Sequence, residues 1–132
     1  MELNITSKKE KEYLLIISKS KMSMKEDLLT HAESVYNEIS KHDAKKVLVN
    51  GTEVTFPQSL FAYFDLVKFY INGLPMALKT IKIAVVIKEA DKKVVEYWEV
   101  VCANKGFEFR AFINFKEAEN WLNKGNTQIR FS

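Results

Sequence analysis

Two hydroxyl side chains, Thr55 and Ser59, lie at the predicted start of a helix, where either could carry a phosphate. Thr55 and Gln58 form a capping box, and Pro57 between them is tolerated in a first helical turn. A phosphate here would face unpaired backbone N–H groups and the positive end of the helix dipole. The spacing therefore predicts Thr55 and Ser59 as candidate phosphorylation sites. The alternative is that Thr55 is only a helix cap and Ser59 an ordinary first-turn residue.

The other reactive side chains do not group into a catalytic or metal site. His31 and His42 are eleven residues apart on a predicted helix, and we expect both to be solvated and without partners. The single cysteine, Cys102, lies on an apolar helix stripe, which predicts a small buried side chain. No metal-ligand spacing, nucleophile elbow, Walker loop or dinucleotide fingerprint occurs in the sequence. We therefore expect a protein that is not an enzyme and has no cofactor or metal.

Length and composition predict one globular domain covering residues 1–132. Hydrophobic residues make up 47% of the chain, enough for a substantial core, and the formal net charge is only +3. The lysines near the N-terminus are offset by Glu10 and Glu12 and have no interleaved aromatic residues. This pattern argues against nucleic-acid binding.

No part of the sequence resembles a membrane span or a secretory leader. The N-terminal segment has charges scattered through it, and no apolar run approaches the roughly 20 residues that cross a bilayer. One cysteine and no disulfide fit a reducing compartment. These features predict a cytoplasmic protein without a transmembrane segment.

Strand and helix signals alternate along the chain. Apolar runs predict strands at residues 13–17, 47–49, 81–87 and 107–113, preceded by an edge strand at residues 2–6. Capping residues and helical periodicity predict helices from a Ser23/Glu26 box to near His42, from Pro57 to Leu74, from Asp91 to Asn104, and from Asn114 to Leu122. Four βα units predict an α/β fold, with a mostly parallel sheet of four to five strands packed by about four helices. Ile129 and Phe131 could dock the C-terminal tail.

The predicted second helix is apolar around most of its circumference. Only Asp65, Lys68 and Asn72 are strongly polar, so the helix is either deeply buried or offers a face to a partner. Together with the preceding loop it forms the predicted partner or ligand surface, which comprises Asn50, Thr52, Glu53, Gln58, Phe61, Tyr63, Phe64 and Tyr70.

Three interpretations of this surface remain open. In the first, it docks a protein, either a second copy of the chain or a larger regulatory partner. In the second, its aromatic side chains line a cavity for a lipid or another small apolar ligand. In the third, the aromatic residues are ordinary core packing.

Four segments in the second half of the chain form a recognisable series: IAVV at residues 83–86, NKG at 104–106, FEFRAFI at 107–113 and EAENWL at 117–122. This series resembles the C-terminal half of the STAS domain, and more closely that of its SpoIIAA-like (STAS/Sec14-related) group. The resemblance implies a sheet of four to five strands packed by about four helices, no bound cofactor, and a regulatory or protein-interaction role.

The same resemblance implies a phosphorylation switch near the second helix. In the anti-sigma antagonist branch of the family, a serine at the start of this helix is phosphorylated by a partner kinase, which abolishes binding. Val54, Thr55 and Phe56 match the first positions of that motif and place Ser59 at the phosphorylated one. Gln58 stands where the family has an acidic residue, and residues 60–61 replace its Ser-Gly.

Overall fold

The computed structural model describes residues 2–123. Within them, the chain forms five strands and four α-helices, which alternate after the first strand. The elements are β1 (Ile5–Lys9), β2 (Leu14–Ser18), α1 (Lys25–His42), β3 (Lys46–Asn50), α2 (Leu60–Gly73), β4 (Lys82–Val86), α3 (Lys92–Asn104), β5 (Glu108–Phe112) and α4 (Phe115–Asn123). Short 3₁₀ turns at Met76–Thr80 and Glu89–Asp91 precede β4 and α3. The predicted docking of Ile129 and Phe131 lies outside the described residues.

The five strands form one sheet in which spatial order follows chain order, β1-β2-β3-β4-β5. β1 runs antiparallel to β2, and the remaining neighbours are parallel. The predicted mostly parallel sheet with an N-terminal edge strand is therefore confirmed. The first strand begins at Ile5 instead of residue 2, because Glu2 makes only an isolated bridge to Lys21. β5 is the opposite edge strand, as its alternating pattern predicts.

The helices are divided unequally between the two faces of the sheet. Right-handed crossovers between neighbouring parallel strands place every connecting helix on the same face, and α1, α2 and α3 pack side by side there. α4 follows the last strand and packs on the other face over β3 and β4. On β2, Leu14 and Ile16 are buried under α1, whereas Leu15 and Ile17 on the opposite face are half-buried.

Helix starts differ from the predicted positions by one to several residues. α1 begins at Lys25, so Asp27 and not Glu26 occupies the capping position, and its carboxylate accepts from the backbone N–H of Ser23 at 2.8 Å. α2 begins at Leu60 instead of Pro57. At α4 the prediction is confirmed, since Asn114 Oδ1 accepts from the N–H of Glu117 at 3.0 Å. Cys102 is fully buried, also as predicted.

The outer edge of β5 is covered by a side chain. Glu99 on α3 accepts a hydrogen bond from the backbone N–H of Ala111 at 2.7 Å, and its carboxylate lies 3.9 Å from Arg110. An occupied N–H group and charged neighbours make an edge strand a poor template for another chain. The edge of β5 is therefore a poor binding surface.

Candidate functional site

The loop of residues 51–59 crosses the end of the sheet that is formed by the carboxyl ends of the parallel strands. In open α/β sheets, binding sites usually lie at this end. The loop connects β3 to α2 and lies between the start of α1 on one side and the start of α3 on the other. Its anchoring on both sides decides which side chains it presents.

On the α1 side, the loop pairs with the extension of β2. The N–H of Thr55 donates to the carbonyl of Ser20 at 2.9 Å, and the N–H of Met22 donates to the carbonyl of Thr55 at 3.0 Å. These bonds hold Thr55 in a short parallel bridge with Lys21. The interpretation of Thr55 as a helix cap is wrong, because the bridge keeps its backbone extended and delays the helix until Leu60.

On the α3 side, polar side chains hold the loop. Lys88 Nζ donates to the carbonyl of Val54 at 2.9 Å, and Gln58 Nε2 donates to Asp91 Oδ1 at 3.3 Å. Asp91 is buried, and its second carboxylate oxygen lies 3.8 Å from Lys88. Gln58, one of the predicted surface residues, therefore ties the loop to α3. Lys88 and Asp91 carried no sequence signal for this role, because their partners lie more than 30 residues away.

The start of the loop is a small polar turn. Asn50 Oδ1 accepts from the N–H of Thr52 at 3.2 Å and from its hydroxyl at 2.9 Å. Thr52 and Glu53 are exposed, and Glu53 lies 4.0 Å from Lys19. The structure thus assigns Asn50 and Thr52 to closing the turn. Glu53 is left as a solvated charge beside it.

The two hydroxyls singled out by the sequence are both on the surface. Ser59 is the residue immediately before α2, is exposed, and makes no side-chain capping bond. Thr55 is also exposed, although its backbone holds the loop in place. Their geometry leaves both hydroxyls accessible, and their phosphorylation stays a prediction.

The aromatic residues of α2 divide between its inner and outer faces. Tyr63 is buried, and its hydroxyl donates to the carbonyl of Pro57 at 2.6 Å. Tyr70 faces the same way, so these two predicted surface residues belong to the interior. Phe61, by contrast, is 82% exposed, and Phe64 is also exposed. The predicted single surface is therefore two separate ones.

The outer surface is a contiguous apolar area that we call the α2 patch. Phe61 and Met24, 56% exposed, line one shallow groove between the starts of α2 and α1. Ser59 lines the same groove, and Lys25 and Asp65 pair across it at 3.5 Å. The patch consists of Met24, Leu60, Phe61 and Phe64. Sequence reasoning missed Met24 because only tertiary packing brings it beside α2.

The inner surface of α2 forms one wall of an apolar cavity of about 100 Å³. The sheet contributes the floor, and α1 contributes the opposite wall. Its lining includes Leu28, His31, Ala32, Val35, Ile39, Val49, Tyr63, Leu66, Tyr70, Ile83 and Phe109.

His31 is a polar group in this lining. Its Nε2 lies 2.7 Å from Ser18 Oγ, which in turn lies 2.9 Å from Ser20 Oγ. Burial lowers the pKa of His31 to about 4, so the ring is neutral near pH 7. The expectation of a solvated histidine is wrong, because α1 turns this side chain toward β2. His42 has a partner as well, since Ser7 Oγ lies 3.2 Å from its Nε2.

Tyr70 joins the cavity to an aromatic cluster. Its hydroxyl accepts a hydrogen bond from Trp98 Nε1 at 3.0 Å, and its ring meets Phe107 and Phe109 edge-on at 5.6 Å. Burial raises the pKa of Tyr70 well above its usual value, so the hydroxyl keeps its proton.

Residues 2–123 contain neither a metal centre nor a membrane-spanning helix. No group of three or more His, Cys, Asp or Glu side chains is arranged to hold a metal ion there. None of the helices in this part of the chain is both long and apolar enough to cross a membrane.

Burial raises the pKa of the Cys102 thiol, which keeps it protonated and unreactive.

Comparison with known proteins identifies the fold. No protein-family model matches the sequence, and no curated protein matches it. A crystal structure of a DUF3478-family protein from Shewanella loihica PV-4, described as having a SpoIIAA-like fold, superimposes with a TM-score of 0.54. The alignment covers 91% of this chain and 93% of that chain at 20% identity. The chain therefore has the SpoIIAA-like α/β fold that its sequence resembles.

Proposed function

We propose that the protein is a non-enzymatic STAS-like interaction domain and that it docks a second copy of this chain through the α2 patch. The exposure of Phe61 is the observation that carries the proposal, because a phenylalanine that is 82% exposed leaves most of its apolar surface in water. Burying such a side chain is worth about 1.5–3 kcal/mol.

The surroundings of the patch favour docking over a purely structural role. The loop beneath it is held on both sides by the bonds of Thr55 and Lys88, so the patch is presented on a rigid base. A preformed surface loses little conformational entropy on binding. The edge of β5 is covered by Glu99, which disfavours association by strand pairing.

The charges beside the patch support a second copy as the occupant. Lys25 and Asp65 are partly exposed and of opposite sign, 3.5 Å apart. In a two-fold symmetric interface each patch meets itself, so a patch of one sign would repel its copy. Here the lysine of one chain can face the aspartate of the other. An apolar patch flanked by one positive and one negative side chain therefore suits a homodimer.

Sedimentation velocity over a range of protein concentrations tests this proposal. We expect the wild-type protein to pass from monomer to dimer as concentration rises and Phe61→Ser to remain monomeric. Val100→Ser is the matched control, because Val100 is 58% exposed on α3, away from the patch, and this variant should still dimerise. A wild-type protein that stays monomeric throughout, or a dimer that F61S leaves intact, would refute the proposal.

Phosphorylation of Ser59 is proposed as the regulation of this docking. Ser59 is exposed and lines the same groove as Met24 and Phe61. A phosphate there would add about −1.5 to −2 charges to an apolar interface. A charge of that size is costly to bury, which disfavours the dimer.

Two measurements test the regulation. Phosphopeptide mapping after incubation with cell lysate and ATP should find phosphate on the peptide that contains Ser59. Ser59→Glu should weaken the dimer in sedimentation velocity, whereas Thr55→Glu, whose side chain is outside the groove, should weaken it less. An S59E variant that dimerises like the wild type would exclude this regulation without affecting the docking proposal.

A further inference from the structure

The outer edge of β1 is the opposite edge of the sheet from β5. On its inner side, the carbonyls of Glu2 and Asn4 each accept a backbone hydrogen bond at 2.9 Å from residues that follow β2, and the N–H of Glu10 donates to the carbonyl of Tyr13. Backbone groups in an antiparallel pair alternate between facing the neighbouring strand and facing away from it. The even-numbered residues of this segment therefore face β2, and the N–H and C=O groups of four odd-numbered residues point outward, namely Leu3, Ile5, Ser7 and Lys9.

These outward backbone groups are open to another chain. Within residues 2–123 they make no hydrogen bond, and β2 is the only strand there that pairs with β1. At the other edge of the sheet, by contrast, Glu99 takes up the N–H of Ala111. A row of unpaired N–H and C=O groups is a template for an added strand. Strand addition is therefore open at β1 and hindered at β5.

Two lysines decide what kind of strand this edge accepts. Successive side chains of a strand point to opposite faces, so Lys9 lies on the α1 face with Ser7, and Lys8 lies on the other face. Lys9 is exposed, and the side chain of Lys8 is 73% exposed. Like charges on directly opposite residues destabilise a strand pair, and opposite charges stabilise it. The edge therefore disfavours basic strands and favours acidic ones.

The carboxylates near this edge leave its positive charge in place. Glu10 lies 3.7 Å from Lys8, but this pair is exposed to water, where an ion pair contributes little. Glu38 on α1 accepts from Ser7 Oγ at 2.7 Å and from Lys41 Nζ at 3.0 Å, so its charge is already compensated. Lys9 forms no ion pair with any of the described residues.

Ile5 adds an apolar position to this edge. It lies on the same face as Lys9 and packs, half-buried, against the core. An added strand that places one residue opposite Lys9 places the residue four positions away opposite Ile5. A β-branched side chain there would bury apolar surface against Ile5. In antiparallel order, the recognised segment is therefore two acidic residues, two residues of any type and one β-branched apolar residue.

We propose that the free edge of β1 takes up an extended acidic segment of a partner protein as a sixth strand of the sheet, antiparallel to β1. The charge of Lys8 and Lys9 identifies the occupant, and the unpaired backbone groups supply the hydrogen bonds. Antiparallel order is chosen because it is slightly more stable per residue than parallel pairing. The α2 patch lies between the starts of α1 and α2, so this interaction does not depend on the proposed dimer.

The proposal is tested by NMR titration of the isotope-labelled full chain with the capped peptide Glu-Asp-Ser-Thr-Val-Thr-Val. We expect saturable shifts and slowed hydrogen exchange at the outward amides of residues 3, 5, 7 and 9, and smaller changes at the inward amides of residues 4, 6 and 8. A control peptide with lysine in place of both acidic residues should bind about tenfold more weakly or less tightly still.

N-methylation of the peptide separates strand addition from simple charge attraction. In the proposed register, the N–H of the first valine donates to the carbonyl of Ile5, whereas the N–H of the preceding threonine points away from β1. A methyl group on the valine nitrogen should abolish saturable binding. A methyl group on the threonine nitrogen should change the affinity by less than about threefold. Equal effects of the two methyl groups would overturn the proposal.

Charge variants test the role of the lysines. Lys9→Glu should weaken binding of the acidic peptide about threefold to tenfold, whereas Lys116→Glu, the same change at an exposed position on α4, should have little effect. The proposal is overturned if the wild-type protein shows no saturable binding, or if it binds the acidic and basic peptides equally. Shifts of the β1 amides with the concentration of Phe61→Ser protein alone would also overturn it, because a second copy would then occupy the edge.

Discussion

The cavity behind α1 leads to a quantitative prediction for Ala32→Leu. Ala32 lines the cavity, and leucine nearly matches alanine in helix propensity. An unfilled core cavity costs about 24 cal/mol per Å³. The volume of about 100 Å³ thus corresponds to roughly 2 kcal/mol. Filling about half of it should raise the free energy of unfolding by about 1 kcal/mol.

Urea unfolding followed by circular dichroism measures this change. Ala103→Leu is the matched control, because Ala103 is exposed on α3 and the same substitution there should alter the free energy of unfolding by less than about 0.5 kcal/mol. Overpacking in a filled core typically costs about 1–3 kcal/mol. If A32L is destabilised by that amount while A103L is neutral, the space is not available in the native state, and the reasoning from its volume is refuted.

Half-buried His31, the covered edge of β5 and buried Cys102 give three further predictions. Because the pKa of His31 is about 4 in the folded protein and 6.5 when unperturbed, the unfolded chain binds the extra proton between these values. Urea unfolding should therefore show stability falling by up to about 3 kcal/mol as pH drops from about 6.5 to about 4, and His31→Gln should flatten this slope. Glu99→Ala should cost about 1 kcal/mol in the same assay, because the N–H of Ala111 loses its acceptor. Cys102 should react with a chromogenic disulfide reagent quickly in urea and only slowly in the native state, because it is buried.

Each of these predictions has a control or an excluding result. His42→Gln, outside the cavity, should retain the acid slope, and an H31Q variant with the same slope would show that His31 is not its source. Glu96→Ala, exposed on α3, is matched to Glu99→Ala, so equal effects of the two would remove the role of the edge hydrogen bond. Rapid labelling of native Cys102 would contradict its burial.

The order of the elements follows from local features of the chain. A strand reveals itself by a short apolar run, and a helix by its periodicity and capping residues, all within a few neighbouring residues. Asn114 starts α4 as its type predicts, and Gly106 takes the positive φ of 89° after α3 that glycine allows. The number and order of the βα units, and hence the fold class, are predictable for this reason.

Helix boundaries are less predictable where tertiary bonds compete with local capping. Thr55 and Gln58 have the residue types of a capping box, yet the backbone of Thr55 pairs with Ser20 and Met22 and the side chain of Gln58 reaches Asp91. These partners lie more than 30 residues away along the chain. No local pattern contains that information.

What the sequence by itself determined is an α/β chain of four βα units whose second helix is unusually apolar and whose Ser59 lies at that helix's start. Only the tertiary structure decided which way the apolar residues face. Sequential strand order puts α1, α2 and α3 on one face of the sheet, so α2 is enclosed on one side only. Tyr70 consequently lines a cavity with His31, while Phe61 is left in water beside Met24. The physical reason is that burial depends on long-range packing, which the periodicity of a single helix does not contain.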